Sequence, residues 1–423
     1  MAKVIVTAIG SAGDVHPLLG VSRALSARGH EVVFCTHAPF EAAVRASGFA
    51  FVPVGTAEDY VRAMADPALW DPRTSFKTLW RVIAPVVRPH FEVLRALSDA
   101  DTVLVGTLWA FSARLMQERF GTRYVSVQVS PSTLLSAHAP ADAQAADDPE
   151  GPAAGGEGGA DDADRAAGAG PGVRPGAERG AAGAGPGAGE ADPGPVAAFD
   201  GRGAVPVSVV VRAGAAGLAG EPPAKAGFRC FNDAGPAQAD AELEAFVASG
   251  EAPVVFTAGS TLVDGRTYEH AVTQVLQATG VRGILLAPDA PAASDGAALL
   301  KRRYVPLAAL LPRCRALVHH GGIGTASLAY AAGVPQVVTP FAHDQFDNAQ
   351  RVAASGCGVR LDAPVRGEPL ARALAQVLGD AAMAARCAQV RARMAAEPNG
   401  CDAAARFIER FAPGVAARRA QPA

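Results

Sequence analysis

Apolar and polar positions fall into alternating blocks along this chain. "KVIVTAIG" is a β-branched run that breaks at Gly10, and "HPLLGVSRALSARGH" then carries apolar residues at helical spacing, with Gly29 as its stop signal. "EVVFCTH" resumes as a strand, and "TVLVG" and "RYVSVQVS" continue the alternation. Strands this uniformly apolar suit a parallel sheet covered on both faces by helices. A second series opens at "APVVFTAGS". In it "RTYEHAVTQVLQATG" predicts a helix, "RGILLAP", "ALVHHGG" and "PQVVTPF" predict strands, and a helical region follows residue 367. The pattern predicts an α/β protein with two parallel-sheet halves.

Between them the pattern stops. From Ala139 to Asp200 there is no Leu, Ile, Met, Lys, Ser, Thr, Asn, His, Tyr, Trp or Cys, and almost every residue is Ala, Gly, Pro, Asp, Glu or Arg. Such a segment buries too little apolar surface to offset its ordering entropy, which predicts a disordered insert. Two origins account for it: a natural flexible linker, or a stretch read in the wrong frame over 139–229, favoured by its abrupt start and its G/C-rich codon vocabulary. The expected division is a first α/β domain over 1–138, the insert over 139–229, a second α/β domain over 230–412 and a tail over 413–423. A first domain cut short in this way would expose a sheet edge and an uncovered apolar face, with impaired catalysis as the consequence.

Composition narrows the function. A chain of 423 residues with 49% hydrophobic and 19% charged residues has a globular balance, and its net charge of −3 offers no field for gathering nucleic acid. The six cysteines are scattered without a CxxC pair, which reads as reduced thiols. The N-terminal apolar run is too short for a signal sequence, and no apolar stretch approaches the roughly 20 residues of a membrane span. A cytoplasmic protein, at most peripheral at the inner membrane, is the expectation.

Candidate chemistry gathers at the strand ends. In "AIGSAGDVHP" the glycines are spaced GxxG, not GxGxxG, which disfavours a nicotinamide cofactor. Asp14 there is either a helix cap or a general base, and His16 is a second candidate for proton transfer. Gly259, Ser260 and Thr261 end "VFTAGST" and could approach a phosphate, or form an ordinary tight turn. "HHGGIGT" is more specific: it joins a strand to a helix, so backbone N–H groups over 322–325 converge at a helix N-terminus suited to a diphosphate. His320, Gly321, Gly322, Gly324 and Thr325 belong to that cradle. A zinc site from His319 and His320 lacks a third ligand, and neighbouring strand residues point to opposite faces. In "PFAHDQFDN", Asp344, Gln345 and Asn348 offer donors and acceptors for sugar hydroxyls.

These residues resemble the nucleotide-sugar signature of the family 1 glycosyltransferases, the inverting group of GT-B fold. There a His precedes a small Gly-rich turn, and some twenty residues later Pro, three residues and an acidic residue with Gln follow; here these are His320, "GGIGT", Pro340, Asp344 and Gln345. Tyr304 resembles the signature's base-stacking Trp, while Leu307 replaces a Gln usual in that signature. The N-terminal G-H-x-x-P of many members aligns with Gly13, Asp14, Val15, His16 and Pro17, so Asp14 takes the base position. Within the family "LWDPRTSF", "SVQVSPSTLLSAH" and "AHDQFDNAQR" are similar to the rhamnosyltransferases of rhamnolipid synthesis. The resemblance implies two Rossmann-like domains facing a cleft and no metal or other cofactor. It also implies transfer of L-rhamnose from dTDP-L-rhamnose to a 3-(3-hydroxyalkanoyloxy)alkanoate. A glycosyltransferase for a polyketide or other apolar acceptor, and a non-catalytic remnant, are the alternatives.

Overall fold

The computed structural model describes residues 1–133, 210–213, 224–225, 240–259, 265–287, 293–295, 298–362 and 365–412. In the first domain β1 (Lys3–Ala8), β2 (Glu31–Thr36), β3 (Ala50–Pro53), β4 (Thr102–Gly106) and β5 (Arg123–Gln128) are parallel. Their spatial order is β3-β2-β1-β4-β5. Helices α1 (Ala12–Ala27), α2 (Glu41–Ala46), α3 (Ala57–Ala65), α4 (Ser75–Leu97) and α5 (Phe111–Phe120) connect them. Val4, Ile5, Val6, Leu104 and Val105 are all but fully buried, as the continuous apolar runs require of strands covered on both faces.

Two elements went unread in the sequence. The half-polar "AFVP" of β3 pairs only at the sheet's margin with β2, and α4 continues through Pro85 and Pro89, which sequence rules treat as breakers. A second departure concerns the expected uncovered edge of β5. Two short strands, β6 (Val210–Ala213) and β7 (Ala224–Lys225), lie inside 139–229 and extend the sheet, β6 pairing antiparallel with β5. The β-branched start of "VVRA" suits a strand, and its pairing satisfies the edge that the sequence left open. The rest of the insert, and the tail over 413–423, lie outside the described residues.

The second domain repeats the plan. Its sheet runs β10-β11-β9-β8-β12-β13-β14, with β8 (Val254–Thr257), β9 (Gly283–Leu286), β10 (Ala293–Asp295), β11 (Leu299–Arg302), β12 (Ala316–His319), β13 (Gln336–Val338) and β14 (Gly358–Arg360). Only β10 is antiparallel to its neighbour. The helices are α6 (Ala241–Ala248), α7 (Gly265–Thr279), α8 (Leu307–Leu310), α9 (Ile323–Ala332), α10 (Gln345–Ala354), α11 (Gly367–Gly379), α12 (Ala381–Ala396) and α13 (Gly400–Glu409). The last of these crosses back to the first domain and packs on α1, where Phe407 and Ile408 join the apolar cluster that contains Leu18 and Leu25. Glu409 accepts from Arg28 and bonds His30 at 3.1 Å, so the chain's end ties the two domains together. Each sheet reverses direction once, between β1 and β4 and between β8 and β12, and ligands of such sheets bind outside the strand ends at that reversal.

Candidate active site

At the first reversal, Ser11 caps α1 and Asp14 closes a capping box, its Oδ2 accepting from the Ser11 N–H at 2.9 Å. The helix thus starts earlier than the apolar spacing indicated and absorbs Pro17 in its interior. Gly10 makes the arrangement possible: its φ of +135° suits glycine, and a Cβ there would overlap the Asp14 carboxylate. Burial pushes the Asp14 carboxyl up to about 7, against the Ser11 N–H, which pulls it down; the negative charge of Asp344 adds to the rise. A carboxylate of the second domain therefore acts electrostatically on one of the first.

Around Asp14 the structure brings in residues that the sequence reading passed over. His37, directly after β2, accepts from the Gly10 N–H at 3.4 Å through Nε2 and donates from Nδ1 to the Val54 carbonyl at 3.0 Å. Burial lowers its pKa, although the Val54 bond opposes this. Its ring lies 4.9 Å from Tyr60, whose phenol burial pushes up to about 12, with the Asp14 charge contributing. His16 packs edge-on to Phe40 at 6.2 Å, on the Tyr60 side of the site. A histidine immediately past the end of a parallel strand was the available signal for His37; nothing in the sequence marked Tyr60. At the neighbouring strand end, Thr107 exchanges hydrogen bonds with the Ile9 backbone, and Leu108 and Trp109 follow. Trp109 and Trp80 both pack on Phe111, at 6.3 and 5.5 Å, and Phe76, Trp80 and Leu108 remain 72%, 49% and 44% exposed. The first domain thus carries exposed aromatic and apolar side chains along α4 and just past the end of β4.

At the second reversal the two histidines separate. His319 is fully buried; its Nδ1 accepts from the Gly321 N–H at 3.1 Å and its Nε2 pairs with Gln336 Oε1 at 3.0 Å. Burial and the adjacent His320 hold its pKa down near 3, so it is a neutral brace for the glycine turn. His320 turns toward the cleft between two glycines: a Cβ on Gly259 would lie 2.6 Å from its Cε1, and one on Gly322 would overlap its Nε2. Burial lowers its pKa to about 4, and its Nδ1 is buried with no hydrogen-bond partner among the described residues. Gly322 is the N-cap of α9 and offers no side-chain cap, so the first-turn N–H groups through Thr325 point outward, with open space above Gly324. Gly321 takes the left-handed conformation (φ +94°) that the turn needs. Tyr304 stands 62% exposed between β11 and α8, as a stacking platform requires. Ser260 and Thr261 lie outside the described residues.

The three expected sugar readers lie together at the start of α10, and two of them also brace the loop. Asp344, the N-cap of α10, accepts from Asn348 Nδ2 at 3.0 Å through Oδ2, and its charge contributes to the rise at Asp14. Gln345 is buried, its Oε1 accepting from the N–H groups of Phe341 at 2.9 Å and Ala342 at 3.2 Å. Asn348 is buried too and donates to the Gly321 carbonyl at 2.9 Å and to Asp344 Oδ2 at 3.0 Å, joining the glycine turn before α9 to the loop before α10. Asp347 accepts two hydrogen bonds from the Arg351 guanidinium, at 2.7 and 3.1 Å. No cluster of three potential metal ligands occurs among the described residues, and no described helix is long and apolar enough to cross a membrane.

Both halves of the chain resemble known protein families. Residues 4–139 match the glycosyltransferase family 28 N-terminal domain, and residues 286–410 match the erythromycin biosynthesis protein CIII-like C-terminal domain. The chain is 37% identical over 173 residues to O-mycaminosyltylonolide 6-deoxyallosyltransferase of Streptomyces fradiae, an alignment spanning 40% of this chain and 41% of that protein. It is 30% identical over 383 residues, 86% of each chain, to dTDP-epi-vancosaminyltransferase of Amycolatopsis orientalis. Among solved structures, a Streptomyces glycosyltransferase complexed with thymidine diphosphate superposes with a TM-score of 0.59 at 17% identity, over 97% of this chain and 100% of its own. Spinosyn rhamnosyltransferase complexed with thymidine diphosphate gives 0.57 at 17% identity, over 97% and 100%.

Proposed function

Because this chain belongs to the family 1 glycosyltransferases of GT-B fold, we propose that it moves a 6-deoxyhexosyl group from a thymidine-diphosphate donor to a hydroxyl of an apolar, polyketide-type acceptor, with inversion. The observation that carries the reading is the Asp14 carboxyl past the end of β1, held by the Ser11 capping box and raised to about 7 by burial, with the Asp344 charge adding to the rise. A base poised near neutrality combines enough ionised form with enough proton affinity to accept a proton from an alcohol as it attacks. The acceptor oxygen forms its bond to the anomeric carbon while the bond from that carbon to the diphosphate breaks. The hydroxyl proton passes to Asp14, and the leaving charge settles on the N–H groups at the start of α9 and on the neutral His320 ring.

The acceptor assignment departs from the hydroxyalkanoate of rhamnolipid synthesis. The names of the relatives support the polyketide alternative: one acts on O-mycaminosyltylonolide and another is a spinosyn rhamnosyltransferase. The exposed Phe76, Trp80 and Leu108 beside the Thr107 strand end supply broad apolar area for an aglycone. L-Rhamnose remains within the proposed donor class, and no metal is assigned a role.

Turnover of the purified chain tests this, with TDP-L-rhamnose and UDP-glucose as donors. Macrolide aglycones and a 3-(3-hydroxyalkanoyloxy)alkanoate serve as acceptors. Transfer from the TDP donor to a macrolide is the expected result. Transfer to the alkanoate alone would restore the rhamnolipid reading, and no transfer by a chain that binds TDP would leave a nucleotide-binding remnant.

A further inference from the structure

We propose that Trp70, a residue of the acceptor domain, is a positioning residue for the donor-sugar subsite, packing across the cleft on Phe341 and His343 to hold the loop that carries Asp344. The inference rests on the donor-binding role assigned above to that loop.

The contact is built from both sides. The Trp70 indole follows a short turn over Pro67–Leu69 that Asp66 caps, its carboxylate accepting from the Ala68 N–H at 2.9 Å. The indole Nε1–H donates to the Met64 carbonyl at 3.1 Å, which fixes the ring's orientation. From there it meets His343 at 5.3 Å and Phe341 at 6.3 Å, both with rings steeply inclined to its own. Edge-to-face pairs at such separations are attractive.

What it packs on is a strained loop. His343 is the one non-glycine with positive φ, at 53°, among the described residues, and a conformation of this kind persists only where its surroundings over-determine it. On the inner side Gln345 clamps the Phe341 and Ala342 N–H groups; on the outer side the Trp70 ring closes against His343. Asp344 follows directly, and its carboxylate direction depends on the backbone of its neighbour. Phe341 also lies 6.3 Å from the His320 ring, but the His320 ring fits closely against the Gly259 and Gly322 backbones, which leave it little room to move toward them. Loss of Trp70 should therefore disturb the sugar side of the donor site far more than the diphosphate side.

Calorimetric binding of TDP and of TDP-L-rhamnose to the full chain and to Trp70→Ala, Trp70→Phe and Asp344→Ala reads this directly. In Trp70→Ala the affinity for TDP-L-rhamnose relative to TDP should fall about tenfold. TDP itself should stay within about twofold of the parent, and Trp70→Phe should recover most of the ratio. Asp344→Ala should lower the ratio alone, with little further loss when combined with Trp70→Ala, since both act through one carboxylate. A ratio unmoved by Trp70→Ala, or equal weakening of both ligands, would overturn the inference while leaving the donor-site reading intact. A parent chain that binds neither nucleotide would sink that reading and this inference with it.

Discussion

Replacing Asp14 by Asn separates its catalytic from its structural cost. The amide keeps an oxygen to accept the Ser11 N–H, so the capping box survives, but it cannot ionise. Burial raises the carboxyl from 3.8 to about 7. A group raised on folding contributes stability that is fully present below its unfolded value and is lost as pH climbs through the folded one. At roughly 1.4 kcal/mol per pH unit, the native enzyme forfeits about 4 kcal/mol between pH 4 and 7.5, or about 2–4 kcal/mol allowing for the residue's partial exposure. The loss then levels off. The Asn variant forfeits none of it. Thermal unfolding followed by circular dichroism should therefore give matching midpoints near pH 4 and a midpoint several degrees higher for Asp14→Asn at pH 8. In the same variant kcat should drop by about 10²–10⁴-fold, while parental kcat/KM should climb with pH through about 7 to a plateau. A midpoint difference that does not change with pH, or retained turnover in Asp14→Asn, would refute both the raised carboxyl and its role as base.

Four further outcomes follow from the donor half. Gly322→Ala should drive the imidazole of His320 aside and weaken TDP binding at least tenfold, with the unfolding midpoint little changed; calorimetry checks it. His319→Ala should cost about 2–4 kcal/mol of stability in denaturant titration, because it strands the Gly321 N–H and Gln336 Oε1 in a buried site. Tyr304→Ala should weaken TDP binding by about 1 kcal/mol without altering kcat, which steady-state kinetics separates. Treatment with EDTA should leave turnover unchanged if helix N-terminus and His320 alone take up the leaving charge.

Much of the donor site was legible because its chemistry is local. A strand, a glycine turn and an uncapped helix occur consecutively in "ALVHHGGIGT", and backbone N–H convergence needs no distant partner. At "HDQFDN" Asp344, Gln345 and Asn348 read alike as sugar contacts, and the fold adds a structural use for two of them: Gln345 Oε1 accepts from Phe341 and Ala342, and Asn348 Nδ2 donates to Gly321, while Asn348 Oδ1 stays without a partner among the described residues. Burial, which one-dimensional spacing does not report, reveals that second use. Sheet edges raised the same difficulty: "VVRA" sits just past an Ala/Gly/Pro-rich stretch, and only its pairing with β5 makes it a strand.

By itself the sequence determined the two-sheet plan and the glycine turns, and marked Asp14 and His320 as candidates, since apolar periodicity and turn chemistry act over a few residues. Tertiary structure decided which groups share a cleft. It brought the Asp344 charge within reach of Asp14 and packed Trp70 on His343, residues some 270 to 330 positions apart. It also gave Asp14 a pKa suited to a base and His320 one that keeps it neutral. Desolvation and through-space charge depend on what surrounds a group in three dimensions, and the chain's order alone does not carry that.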